Sequence, residues 1–303
     1  MKPDLLLTQP MSAALERELE AAYVVHRLQP DPDTVLDQVG PRIRAVVTGG
    51  QVGLPPAIWD RLPALEIIAV HGVGLDAVEL DRAAATGVAV TTTPDVLTDD
   101  VADLAIGLWL SLSRRMMIGD RYVREGRWPR HEASPLSTRA SDRRIGILGL
   151  GQIGQAIAVR AAPFAAEIAY HSRRPVAGSA YAYAPSARAL AERSDVLFVA
   201  TAGGAGSRAL VDAAVLEALG PQGLLVNVAR GSVVDEAALV AALEAGAVAG
   251  AGLDVFVDEP NVPPALLNRD DVVLQPHRGS ATVEARAAMG RLVLENLASH
   301  FGA

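Results

Sequence analysis

The most constraining stretch of this chain is a glycine-rich turn set between a strand and a helix. Ile145-Gly146-Ile147-Leu148 is a short apolar run. Gly149-Leu150-Gly151-Gln152-Ile153-Gly154 follows, and Gln155-Ala156-Ile157-Ala158-Val159-Arg160 continues in a helical pattern. A G-x-G-x-x-G run alone is weak, but between strand and helix it reads as a dinucleotide-binding turn. The first glycine permits the tight turn, the second lets backbone approach a pyrophosphate, and the third lets helix and strand pack closely. The helix N-terminus then faces the anion. The bland alternative is an ordinary glycine-rich connection.

The rest of the chain agrees with that turn. Short apolar runs recur at Asp4–Thr8, Ile43–Thr48, Ile67–Val70, Glu167–Tyr170, Val196–Ala200, Leu224–Val228, Ala249–Leu253 and Val272–Gln275, with amphipathic stretches between them. Unbroken apolar runs fit strands buried on both faces, and their alternation with helices implies parallel sheets in a doubly wound α/β architecture. A length of 303 residues suits two modest domains or one large one. The pattern predicts one long helix from Asp99 to Glu125, able to connect two lobes. It also predicts a polar surface loop over Arg127–Pro135.

Composition removes several chemistries. There is no Cys, which excludes disulfides, thiol nucleophiles and Cys-ligated clusters. The only Lys is Lys2, which argues against Schiff-base and Walker-type phosphate chemistry. A formal charge of −8 gives no global field for nucleic acid. The six His include no His-x-x-x-His pair, so no metal site is expected. The best membrane candidate, Val101 to Ser113, is too short and contains Asp103. The start lacks a secretory signal pattern. The expectation is a cytoplasmic protein without membrane or nucleic-acid partners.

The strand after the glycine turn ends near Tyr170. An NAD site would place a carboxylate about there, for the ribose 2′-hydroxyl. The chain instead has His171-Ser172-Arg173-Arg174-Pro175. Two guanidiniums and a hydroxyl suit a 2′-phosphate. NADP(H) is therefore favoured, with NADH possible; a solvated basic loop is the bland reading.

Three further strand ends carry polar groups. Arg230 follows Leu224–Val228, Asp254 and Glu259 follow Ala249–Leu253, and His277 follows Val272–Gln275. In open α/β sheets that edge forms the ligand crevice. Arg can clamp a carboxylate at two points, and His can move a proton near neutral pH. A Glu hydrogen-bonded to a His orients the ring and favours its charged form. Together they suit carbonyl reduction, in which hydride reaches carbon and a proton reaches oxygen. Singly, each has an ordinary structural reading.

Several motifs in order resemble the D-isomer-specific 2-hydroxyacid dehydrogenase family over nearly the whole chain. They are Gly149–Gly154, Val226–Asp235, Gly252–Phe256 with Glu259-Pro260, and Pro276-His277 with Gly279-Ser280. Thr93–Asp103 and His171–Arg174 resemble its glyoxylate/hydroxypyruvate and hydroxyphenylpyruvate reductase branch, whose members commonly use NADPH. The resemblance implies that Arg230 binds the 2-oxoacid, that His277 is general acid in reduction, and that Glu259 pairs with His277. It implies that Thr201, Val228, Ala229, Arg230, Asp254, His277 and Gly279 line the cofactor cleft. Val73 and Gly74 match the loop whose amides hold the substrate carboxylate, and adjacent N–H groups do form anion nests.

The family also implies two lobes. A Rossmann lobe of 94–279 binds cofactor, and a flavodoxin-like substrate lobe combines 1–93 with 280–303. The two would close by a hinge, and two chains would pair as a homodimer through the cofactor lobe, the helix from Asp99 included. Two departures stand out: Arg278 follows the His, and Thr201-Ala202-Gly203-Gly204 stands where relatives often carry Cys-Pro-Leu-Thr. The expected function is NADPH-preferring reduction of glyoxylate, hydroxypyruvate or an aryl pyruvate. The alternatives are a non-enzymatic dinucleotide sensor, or an NAD-dependent dehydrogenase of another acid.

Overall fold

The computed structural model describes residues 2–302. The chain divides into two compact units. The first holds the residues up to Leu97 and those from Thr282 onward; the second is Thr98–Ala281. The resemblance places these crossings at 93/94 and 279/280. Both crossings come a few residues later, after Leu97 and after Ala281.

The first unit is built on a parallel sheet of β1 (Asp4–Leu7), β2 (Val24–Arg27), β3 (Ile43–Thr48), β4 (Ile67–Val70) and β5 (Ala89–Thr91). Their order is β2-β1-β3-β4-β5, the flavodoxin-like winding. Alternate residues of one strand enter different cores. Leu6, Val46 and Ile68 pack with Trp59 on one face, whereas Leu5, Leu7, Val47 and Ile67 pack with Val293 and Leu297 on the other. Both faces are apolar, which is why these strands read as continuous runs and not as alternation. The helix Val283–Phe301 supplies Val293 and Leu297, so the chain's last helix returns to the first unit.

The second unit carries β6 (Arg143–Leu148), β7 (Ala165–His171), β8 (Ala182–Tyr183), β9 (Val196–Val199), β10 (Leu224–Asn227), β11 (Gly250–Leu253) and β12 (Val272–Leu274). Their order is β12-β11-β10-β9-β6-β7-β8, with every pairing parallel. The winding reverses between β6 and β9, the switch point at which doubly wound sheets bind ligands. The helix Thr98–Ser113 covers one face. Its Trp109 meets Phe164 and Phe198 edge-on, at 5.4 and 5.8 Å.

One local expectation is corrected. The long helix from Asp99 to Glu125 is two helices, Thr98–Ser113 and Met116–Arg124. Arg115 is left-handed at φ 50°. The Ser113 carbonyl, which a continuing helix would need, accepts instead from the Thr138 N–H at 2.8 Å and hydroxyl at 3.2 Å. The strands β2, β5 and β8 were absent from the apolar runs; all three are short and lack a buried apolar stretch. No described helix is long and apolar enough to cross a membrane.

Candidate active site

The glycine turn leaves β6 at the switch point. Gly149 has φ 99°, and a Cβ there would lie 2.6 Å from the Thr201 Cα, at the end of β9. A Cβ on Gly154 would lie 2.0 Å from the Gly149 carbonyl oxygen, so helix Gln152–Ala161 and the turn pack backbone to backbone. A Cβ on Gly151 would meet nothing within 4 Å. That open space stands before the helix N-terminus, beside the backbone of Leu150, Gln152 and Ile153. Its emptiness and its positive helix end fit a dinucleotide's pyrophosphate.

The three glycines should therefore respond differently to a side chain. Gly151→Val is expected to fold normally but to bind dinucleotide at least about tenfold more weakly, the scale of one lost charge-assisted hydrogen bond. Gly154→Val is expected to cost about 3 kcal/mol of stability, because rigid backbone, not a flexible tip, fills its space. Thermal melts with dinucleotide titration check both.

The 2′-phosphate candidates follow β7. The Ser172 hydroxyl accepts from the Leu150 N–H at 3.0 Å, which ties this loop to the glycine turn. Arg173 and Arg174 are exposed, and among the described residues neither is paired with a carboxylate. Beside them Tyr170 and Tyr183 pack edge-to-face at 5.6 Å, and His171 Nδ1 bonds the Ala184 carbonyl at 2.9 Å. Exposed guanidiniums without acidic partners are set up for an incoming phosphate.

The ends of β10, β11 and β12 carry the three catalytic candidates, and two of them are in contact. His277 Nδ1 bonds Glu259 Oε2 at 2.9 Å, and Glu259 Oε1 accepts from the Phe256 N–H at 2.9 Å. Both side chains are about three-quarters buried, with 26% and 21% exposure. With Nδ1 engaged, proton exchange with a substrate falls to Nε2. His277 sits in the left-handed region at φ 51°, a conformation that costs roughly 1–3 kcal/mol for a residue other than glycine.

Asp254 holds His277 there. Its carbonyl accepts from the His277 N–H at 2.8 Å, and its carboxylate accepts from the N–H groups of Arg278 (2.6 Å) and Gly279 (2.8 Å). Burial pushes the pKa of Asp254 up, while those two N–H bonds and the charge of His277 oppose the rise. Asp254 thus acts here through backbone. Gly279 fits where it does because even a Cβ would lie 3.1 Å from Asp254 Oδ2 and 3.2 Å from Val101 Cγ2.

Arg230 follows a turn of buried Val228 and Ala229. One guanidinium N–H donates to the Ala229 carbonyl at 2.6 Å, using one of the five donors on the fork. A Cβ on Gly231 would lie 2.0 Å from the carbonyl carbon of Phe256, so the Arg230 loop rests directly on the loop that holds Glu259. Two supporting residues carried no role in the sequence. Asn227 bridges the turn with both ends of its carboxamide. Glu236 accepts from the Val257 N–H at 3.2 Å. An Asn at a strand end just before a turn is a recognisable signal; Glu236, on a following helix, gives none.

Val73 and Gly74 lie in the first unit, past the end of β4, with Val73 exposed. Glycines seat their loop: a Cβ on Gly50 would lie 2.5 Å from the Gly74 carbonyl oxygen, and one on Gly53 1.8 Å from that of Ala77. His71 is buried there, its Nδ1 3.4 Å from an Arg286 nitrogen. Burial, then the charge of Arg286, lowers the pKa of His71. Among the described residues no group of three His, Cys, Asp or Glu is arranged to hold a metal ion.

The model of the D-isomer specific 2-hydroxyacid dehydrogenase NAD binding domain matches residues 106–279. The chain belongs to that family. Relatives match beyond the cofactor domain. A 2-ketogluconate reductase of Gluconobacter oxydans is 44% identical, covering 99% of this chain and 96% of its own. A glyoxylate/hydroxypyruvate reductase A of Arabidopsis thaliana is 46% identical, covering 98% and 95%. The NADPH-dependent glyoxylate/hydroxypyruvate reductase of Sinorhizobium meliloti, solved with NADP and malonate, superimposes with a TM-score of 0.94. It is 44% identical and covers 99% of this chain and 94% of that one. As a 2-hydroxyacid dehydrogenase, the chain has its Arg, Glu and His at the carboxyl edge of the cofactor-domain sheet.

Proposed function

We propose that this dehydrogenase is an NADPH-preferring reductase of small 2-oxoacids, forming D-2-hydroxyacids, with glyoxylate and hydroxypyruvate as first substrates and an aryl pyruvate as a further one. The observation that carries the reading is the Glu259-held His277, on the same strand edge as Arg230. When bound, a reduced nicotinamide supplies the hydride that adds to the carbonyl carbon. Arg230 pairs with the substrate carboxylate and draws electron density toward the carbonyl oxygen. His277 delivers its proton from Nε2 to that oxygen, and Glu259 keeps the ring in the tautomer and orientation the transfer needs. The backbone N–H groups of Val73 and Gly74 are proposed as donors to a substrate carboxylate. Gly149 to Gly154, Ser172, Arg173, Arg174, Thr201, Val228, Ala229, Asp254 and Gly279 are proposed to hold the cofactor. The relatives' names and the NADP-bound neighbour support this reading.

The test is absorbance at 340 nm, with NADPH or NADH against glyoxylate, hydroxypyruvate, pyruvate, phenylpyruvate and 2-ketogluconate. Consumption of NADPH with one or more of the small acids is the expected result. Turnover of 2-ketogluconate alone would move the substrate to a sugar acid. NADPH binding without turnover of any acid would favour a dinucleotide sensor.

A homodimer in the cytoplasm completes the proposal. Met116, Met117, Val123, Trp128 and Leu136 are exposed on the second unit, at 52%, 54%, 54%, 66% and 91%. All five fall in the one segment from Met116 to Leu136, and exposed large apolar groups of this kind support an interaction surface there. Light scattering after size exclusion is expected to give twice the 31.6 kDa chain mass; a monomer at micromolar concentration would refute the pairing.

A further inference from the structure

Arg230 does not sit on a strand or a helix. It follows a turn of Val228 and Ala229 that two backbone bonds hold at its ends, from the Val228 N–H to the Val199 carbonyl and from the Val233 N–H to the Arg230 carbonyl, both at 3.2 Å, and a side chain clamps its middle. Asn227, the last residue of β10, is 1% exposed. Its Nδ2 donates to the Arg230 carbonyl at 3.0 Å, and its Oδ1 accepts from the Ala229 N–H at 3.1 Å. The partners settle which end is which, since an N–H only donates and a carbonyl only accepts. A carboxamide of this length is needed. Asp lacks the donor, Ser cannot span both groups, and Ala supplies neither.

The same residue also reaches toward His277. The Asn227 carbonyl accepts from the Asp254 N–H at 3.0 Å, and the Asp254 carbonyl accepts from the His277 N–H at 2.8 Å. On its other side the Arg230 turn is blocked. Gly231 lies against the backbone of Phe256, whose N–H donates to Glu259. With Phe256 blocking one side, loss of the clamp is expected to let the turn relax away from Phe256, changing the distance between Arg230 and the His277–Glu259 pair.

We propose that Asn227 is the positioning residue for Arg230, setting through its carboxamide where the guanidinium stands relative to His277. The inference rests on the reading of Arg230 as the ligand of the substrate carboxylate. Asn227→Ala is expected to lower kcat/KM for glyoxylate about 10- to 100-fold, the scale of leaving the Ala229 N–H unpaired and the Arg230 carbonyl with the Val233 N–H as its remaining backbone donor. Most of the loss should fall on KM for glyoxylate, with NADPH affinity, read by fluorescence, falling by less than KM rises. Asn227→Asp keeps the acceptor for Ala229 but turns an oxygen toward the Arg230 carbonyl, and is expected to lose activity as well.

A double-mutant cycle separates positioning from general support. In an Arg230→Gln background, Asn227→Ala should cost less than about twofold further. The same fold-loss in both backgrounds would overturn the proposal, as would wild-type kcat/KM in Asn227→Asp. A crystal structure of Asn227→Ala, or of Asn227→Asp should the first not fold, decides the matter without turnover. Arg230 shifted away from Phe256 is expected, and Arg230 unmoved overturns the proposal. Failure of the wild type on every acid would count against the functional reading alone, with that structure still deciding the role of Asn227.

Discussion

Replacing His277 with Gln is expected to lower turnover by roughly 10²–10⁴-fold while leaving NADPH affinity within about threefold of wild type. The size follows from what is lost. Gln has a comparable reach and can donate a hydrogen bond, but it cannot surrender a proton at neutral pH. The carbonyl would still be polarised by Arg230, so some reduction should persist. The site should remain assembled, because its backbone is held from elsewhere. The N–H groups of residues 277, 278 and 279 all terminate on Asp254. Single-turnover absorbance at 340 nm, together with fluorescence titration of NADPH, separates the two quantities. Turnover unchanged in His277→Gln would remove the imidazole from the reaction.

The second large effect concerns cofactor choice. Arg173→Ala with Arg174→Ala is expected to weaken NADPH binding roughly 10²-fold and NADH binding by less than about threefold. Charge-assisted bonds to phosphate contribute about 1.5–3 kcal/mol each, discounted here because both side chains are exposed. Only one cofactor carries the group they meet. Equal weakening of both cofactors would show that the loop acts on shape and not on the 2′-phosphate. Raising the ionic strength should mimic the double substitution in part, since screening reaches exposed charges first.

The candidate residues were readable because the proposed chemistry asks for particular side chains at strand ends, and the structure has those side chains at the strand ends. The turn from Gly149 to Gly154 needs three positions without a Cβ, and the spacing itself reports the fold. Arg230, Glu259 and His277 are legible for a related reason: each follows an apolar run too short to be anything but a buried strand. The supports were not legible. The role of Asn227 exists only once Ala229 and Arg230 curl around it. The break at Arg115 is invisible locally, since Arg114 to Met117 are ordinary helix formers. Its cause lies with Thr138, distant in sequence, which captures the carbonyl of Ser113. The edge strands β5 and β8 leave little hydrophobic signature because they are two or three residues long and lack a fully buried residue.

The hydroxyl of Ser172 is at once a fastener of the glycine turn and a sequence neighbour of the two arginines. Retooling this chain for NADH is therefore a matter of three adjacent positions, not two. Removing the guanidiniums abolishes a preference without creating another. An Asp in place of Ser172 would keep an acceptor for the Leu150 N–H with one oxygen and offer the other to a ribose diol. On this reading, cofactor selectivity and the shape of the glycine turn are mechanically joined at the one hydroxyl that accepts from the Leu150 N–H.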